Sequence, residues 1–92
     1  MDDLDVFCTR IQLLLDRRHV VADDDVEVAL TDGYARALAL ERERRRADLR
    51  IRQLAGSTDG VAEILALEGR LGRIESDLAQ LRALLRSLAA TL

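Results

Sequence analysis

Residues 61–92 read VAEILALEGRLGRIESDLAQLRALLRSLAATL, and within them Ile64, Leu67, Leu71, Ile74, Leu78, Leu81, Leu85, Leu88 and Leu92 recur at alternating steps of three and four. A helix of 3.6 residues per turn keeps returning to one side at this spacing, so these side chains make one unbroken apolar stripe. A strand, with its period of two, would scatter them over both faces. The segment from about Gly60 to Ala90 is therefore expected to be a helix whose leucine seam needs a partner of similar length.

The partner lies just upstream. Val26, Leu30, Gly33, Ala37, Leu40, Arg44, Ala47, Ile51 and Leu54 follow the same alternation, predicting a helix from about Asp25 to Leu54. The residues between, Ala55-Gly56-Ser57-Thr58-Asp59, supply a helix-ending glycine and candidate N-caps for the next helix. Two helices this long joined by so short a loop must fold back on each other, giving an antiparallel coiled-coil hairpin about 45 Å long. Opposite charges suggest a register in which Arg36 meets Asp77, Glu43 meets Arg70, Arg50 meets Glu63 and Glu27 meets Arg82. In that register Gly33 faces Leu78, Ala37 faces Ile74 and Ala47 faces Ile64, small against large. Each charge pair contributes only about 0.2–0.5 kcal/mol, so their role is to specify register.

A third, shorter helix is expected from about Asp3 to Arg18, capped by Asp2 or Asp3, with Leu4, Phe7, Cys8, Ile11, Leu14 and Leu15 on one stripe. Val20-Val21-Ala22 links it to Asp23-Asp24-Asp25, an N-terminal capping signal. Helix 1 has half the hairpin's length, so we place it on the open end, away from the loop, against Tyr34, Leu38, Leu88 and Leu92. The fold class is then all-α, a single domain over residues 1–92. The loop-proximal half keeps only two helices, with Leu49 and Leu65 off the seam. So thin a core makes homodimerisation or docking on a partner the natural remedy.

Composition agrees. The chain has no proline, only one Phe and one Tyr, and 34% charged residues, which excludes a β-sandwich or barrel. Its single cysteine excludes a disulfide scaffold and a Cys-based zinc site. The net charge is −3, unevenly spread: residues 1–32 hold nine acids against three arginines, and residues 33–92 hold eleven arginines against eight acids. No apolar run approaches the ~20 residues of a membrane span, and the acidic start is unlike a secretory signal. A cytoplasmic protein without a membrane anchor is expected.

The chemistry-bearing candidates are few. Arg42, Arg44, Arg45, Arg46 and Arg50, with Arg70 and Arg73 brought alongside by the hairpin, form a potential belt for carboxylates or phosphates. Interleaved acids (Glu41, Glu43, Asp48, Glu68, Glu75) and the lack of aromatic residues for base stacking disfavour nucleic acid. Arg44 occupies a seam position, where its stem is expected to snorkel out between Glu41 and Glu68. His19 among Asp16, Asp23, Asp24 and Asp25 reads as a helix end with a capping cluster, so no metal or other cofactor is expected. Cys8 reads as a small core residue. Neither a glycine-rich phosphate loop nor a nucleophile elbow is present, and a helical hairpin has little room for a substrate pocket, so no enzyme is expected.

The leucine heptads of residues 58–92 are similar to the dimerisation helices of some MerR-type regulators and to helical regions of actinobacterial coiled-coil proteins. In size and arginine content the hairpin resembles cyclic-di-GMP-responsive anti-sigma factors. Their motif, however, has Glu four residues before a Ser, and here Gln53, Gly72 and Ala83 stand before Ser57, Ser76 and Ser87. The sequence thus points to a non-enzymatic protein–protein interaction or adaptor module, expected as a homodimer. It would dock a protein partner through leucine seams and the arginine belt, with Leu49 and Leu65 adding apolar contact. The alternatives are a small regulator binding a phosphorylated molecule on Arg42, Arg44, Arg45, Arg46, Arg70 and Arg73, and a self-assembling rod.

Overall fold

The computed structural model describes residues 3–17 and 22–92, and the statements below concern these. They form three α-helices: α1 (Asp3–Asp16), α2 (Asp23–Leu54) and α3 (Val61–Ala89), the last preceded by one 3₁₀ turn, Thr58–Gly60. No strand occurs among the described residues. The expected Asp2 cap, Arg18, His19 and the Val20-Val21 link fall outside them. α2 and α3 pack antiparallel as a hairpin, and α1 packs on α3. The result is a rod of 57 × 20 × 16 Å.

The helix ends differ from expectation in one respect. Asp23, Asp24 and Asp25 lie inside the first turn of α2, and its N-cap is Ala22, with no side-chain capping bond. The three carboxylates therefore act on the positive end of the helix dipole and not as a cap. Neither Ser57 nor Gly60 caps its helix through a side chain. The turn itself is as expected: Gly56 adopts φ +88°, a left-handed conformation that favours glycine, and the Ser57 N–H donates to the Leu54 carbonyl at 3.0 Å. Gly60 is buried against Leu54; a Cβ there would sit 3.2 Å from the Leu54 Cβ.

The core concentrates at the open end of the hairpin, as anticipated for helix 1. Phe7, Cys8 and Ile11 from α1 are buried with Val26, Ala29, Leu30 and Ala37 from α2 and Leu78, Leu81, Leu85 and Leu88 from α3. Towards the loop only Ala47, Gly60 and Ile74 are buried, while Ile51, Leu54, Ile64, Leu67 and Leu71 stay half-buried between two helices.

The register departs from the charge-matched one. Arg50 does bind Glu63, through two bonds of 3.0 and 3.4 Å. Gly33, however, lies under Leu85 and not Leu78, so close that a methyl group on its Cα would come within 3.3 Å of the Leu85 Cγ. Ala47 shares a cleft with Leu67, and the expected pair Glu43 and Arg70 lines the same cleft. Arg82 pairs with Glu41, and Arg36 with Asp3 and Asp32. Leu85 stands one heptad beyond Leu78 on the same stripe of α3, so a slide of this size keeps the same seam facing inward while changing the pairs.

Arg36 clasps α1. Its Nη1 donates to the Asp3 Oδ2 at 2.6 Å, its Nε is 3.5 Å from the Asp32 Oδ1, and its Cζ lies 4.4 Å from the centroid of the Phe7 ring. The hydrogen bond to Asp3 pushes the guanidinium above its ordinary value; partial burial opposes this, and the charges of Asp3 and Asp32 add to the rise. A raised arginine contributes stability at every pH where it stays protonated, lost only in strongly alkaline solution, so its titration is no switch near neutrality.

Gly33→Ala should lower stability by about 1 kcal/mol, because crowding of Leu85 exceeds the gain in helix propensity. Gly72→Ala, where an added methyl meets nothing within 4 Å, should raise it by about 0.5–1 kcal/mol; urea unfolding reads both signs. Arg36→Ala should weaken α1 docking by about 1–2 kcal/mol, seen as faster amide exchange in α1 with the α2–α3 hairpin still protected, and Arg36→Lys should recover part of the loss.

Candidate interaction surface

Because α1 covers one flank of the hairpin, marked by Arg36 and Leu84, the opposite flank stays open. There a groove of about 450 Å³ runs between α2 and α3, lined by Tyr34, Ala37, Leu38, Glu41, Arg82, Leu85 and Arg86. Its apolar floor is exposed: Tyr34 is 55% and Leu38 44% accessible. This corrects the expectation that Tyr34 and Leu38 contact helix 1. The i, i+4 step is present, but it faces away from α1. Glu41 and Arg82 bridge the groove as an ion pair, which also removes Glu41 from the side of Arg44.

The arginines do not form one belt. Arg44 is half-buried and lines a cleft with Arg45, Asp48, Leu71 and Glu75, in place of the expected position between Glu41 and Glu68. Arg46 and Arg70 line a second cleft with Glu43, Ala47 and Leu67. The packed seam separates the two clefts, and each mixes both signs of charge. Arg50 is engaged by Glu63, Arg73 extends over Gly69, and Arg42 is exposed. A phosphorylated ligand would thus meet two or three of these arginines together with a carboxylate, never the set of six.

The outer side of α2, turned away from α3, carries Val28, Thr31, Ala35, Leu38, Arg42, Arg45 and Leu49 at alternating steps of three and four, all exposed. Val28 is 68% and Leu49 57% accessible. Around Val28 the surface is a broad concavity with Asp24, Glu27, Thr31, Asp32 and Ala35. Reading α2 for a single buried seam left this second stripe unnoticed; the same step pattern, applied to the residues between seam positions, reveals it. Leu65 is also exposed, at 63%, but on the outer side of α3, so it and Leu49 do not share a surface.

No helix among the described residues is long and apolar enough to cross a membrane. No protein-family model matches the chain, and comparison with curated proteins and with solved structures gives no match.

The bridging pair yields a direct check on register. A double-mutant cycle on Glu41 and Arg82 should give a coupling of about 0.2–1 kcal/mol that shrinks with added salt, while the cycle on Glu27 and Arg82 should give none.

Proposed function

We propose that the chain is a non-enzymatic interaction module that docks another helix on the outer side of α2 and the flank beside it that α1 leaves open. The observation that carries this reading is the exposed apolar line Val28, Leu38 and Leu49 on α2, joined at its middle by Tyr34 and the groove floor. Scattered exposed leucines are ordinary on a protein surface; a line at helical spacing on one side of a rod is the pattern that helix-in-groove recognition uses. The docking of α1 on the other flank supports the mode of binding. There an amphipathic helix inserts Phe7 and Ile11 while a leading carboxylate, Asp3, is gripped by an arginine of the hairpin. On the open side, Arg45 and Arg86, neither held in an ion pair, stand ready to orient an incoming helix in the same manner.

Leucine contacts then supply affinity, and the flanking charges supply direction and choice of partner. Cytoplasmic location is part of the same proposal, consistent with a chain whose single cysteine, Cys8, is buried in the core.

The test is affinity capture from nuclease-treated native lysate, read by mass spectrometry, with wild type and two variants as bait. Leu49→Glu and the double change Arg45→Glu/Arg46→Glu touch exposed positions only and should leave helical circular dichroism unchanged. Both should reduce recovery of any specific partner, a second copy of the chain included, by at least about tenfold, the effect of losing about 1.4 kcal/mol. Recovery equal to wild type for both variants overturns the reading.

A further inference from the structure

The outer side of α1 and the open flank of the hairpin complement each other. α1 turns Phe7, Cys8 and Ile11 into the core, and the residues on its far side, Asp5, Val6, Thr9, Leu13 and Asp16, are all exposed. Val6 and Leu13 are 44% and 51% accessible and stand one heptad apart on that side. Acids close both ends of this apolar strip: Asp5 and Asp16 lie eleven residues apart, about 16 Å along the helix. Neither joins an ion pair among the described residues, and Asp16 accepts a hydrogen bond from Gln12.

The open flank carries the opposite signs at the same spacing. Its apolar part, Tyr34, Ala37 and Leu38, lies between two exposed arginines: Arg86, which shares the groove with Tyr34, and Arg45, one turn beyond Glu41. Tyr34 and Arg45 are also eleven residues apart. Neither arginine joins an ion pair among the described residues; of the two acids in the cleft of Arg45, Asp48 is held by Arg52 and Glu75 is unpaired. We propose that this flank receives the outer side of α1 from a second copy of the chain, lying antiparallel to α2. Asp16 of the incoming helix meets Arg86, and Leu13 settles over Ala37 between Tyr34 and Leu38. Thr9 passes over the Glu41–Arg82 bridge, and Asp5 meets Arg45, with Val6 along the stem of that arginine.

This inference rests on the docking reading and names its occupant. A foreign helix would need two acids at this spacing with a leucine between them; α1 carries them on a side that its own hairpin leaves exposed. The direction follows from the same spacing. With Asp5 at Arg86 instead, Thr9 would lie over Leu38 and Leu13 beside the charged bridge, polar against apolar at both places. The two surfaces face opposite ways on one chain, so a copy that fills its neighbour's groove keeps its own groove free. Such a contact is heterologous, and copies add side by side without closing at two.

Sedimentation equilibrium on the purified chain is the test. The wild-type mass should rise with concentration beyond that of two chains, and fall with added salt, which screens exposed pairs. Val6→Arg/Leu13→Arg spoils only the α1 side and Tyr34→Arg/Leu38→Arg only the groove, all at exposed positions. Each variant alone should stay monomeric with unchanged helicity. Mixed in equal amounts, they should form a dimer of one chain of each that grows no further, identified by native mass spectrometry, because one intact α1 side then meets one intact groove. Should a variant lose helicity, Asp5→Ala/Asp16→Ala and Arg45→Ala/Arg86→Ala change exposed charges only, and each should raise the dissociation constant about tenfold. A wild-type chain that stays monomeric or stops at two overturns the proposal, as do variants that assemble alone or fail to recombine. None of these results touches the docking reading, which falls only if Leu49→Glu and Arg45→Glu/Arg46→Glu leave capture from lysate unchanged.

Discussion

Gly33 beneath Leu85 is the point on which the arrangement of the helices turns. Only a residue without a side chain lets α3 come so near, and the nearness lets Leu78, Leu81, Leu85 and Leu88 become almost fully buried in so narrow a molecule. α1 then completes the cluster from the flank, adding Phe7, Cys8 and Ile11. Had the helices been held apart by a larger residue, leucines on α3 would face a gap too shallow to exclude water, and α1 would lack the surface on which it sits.

Much of this was legible in the sequence, for a physical reason. Apolar spacing of three and four over long stretches is a property of one helix, and it survives any detail of packing; hence the three helices, the turn at Gly56 and the position of α1 could be read directly. Register was less legible. Charge matching recovered Arg50 with Glu63, where the short turn constrains both helices, but the pairs of Arg36, Arg82 and Gly33 were misassigned, because a slide of one heptad presents the same apolar stripe and spacing alone does not choose between such registers. Tyr34 and Leu38 were recognised as an apolar step and assigned to the wrong neighbour. Spacing reports that a face is apolar and is silent about what covers it. The arginine belt failed differently: a run of arginines in sequence is wrapped around a helix by its 100° rotation per residue, so neighbours in the chain end on opposite sides of the seam.

The two flanks of the hairpin therefore differ in character. One is finished by α1 through a stacked and ion-paired Arg36. The other presents an apolar line with unpaired charge at both ends, acidic near Asp24 and basic near Arg45. An unfinished face of this kind is costly to leave in water and inexpensive to keep soluble as long as charges flank it, which fits a surface that exchanges solvent for another helix.

The place of α1 also governs the order in which the molecule can be made. Its partners Leu81, Leu85 and Leu88 follow Ile11 by 70 residues or more, so the Phe7–Ile11 stripe waits, uncovered, until the far end of α3 has been synthesised. The contacts around Gly56 are local and close a small loop, which favours zipping of α2 and α3 from that turn outward. α1 can join only when the zipper reaches the open end, so the helix made before the hairpin finds its place after it.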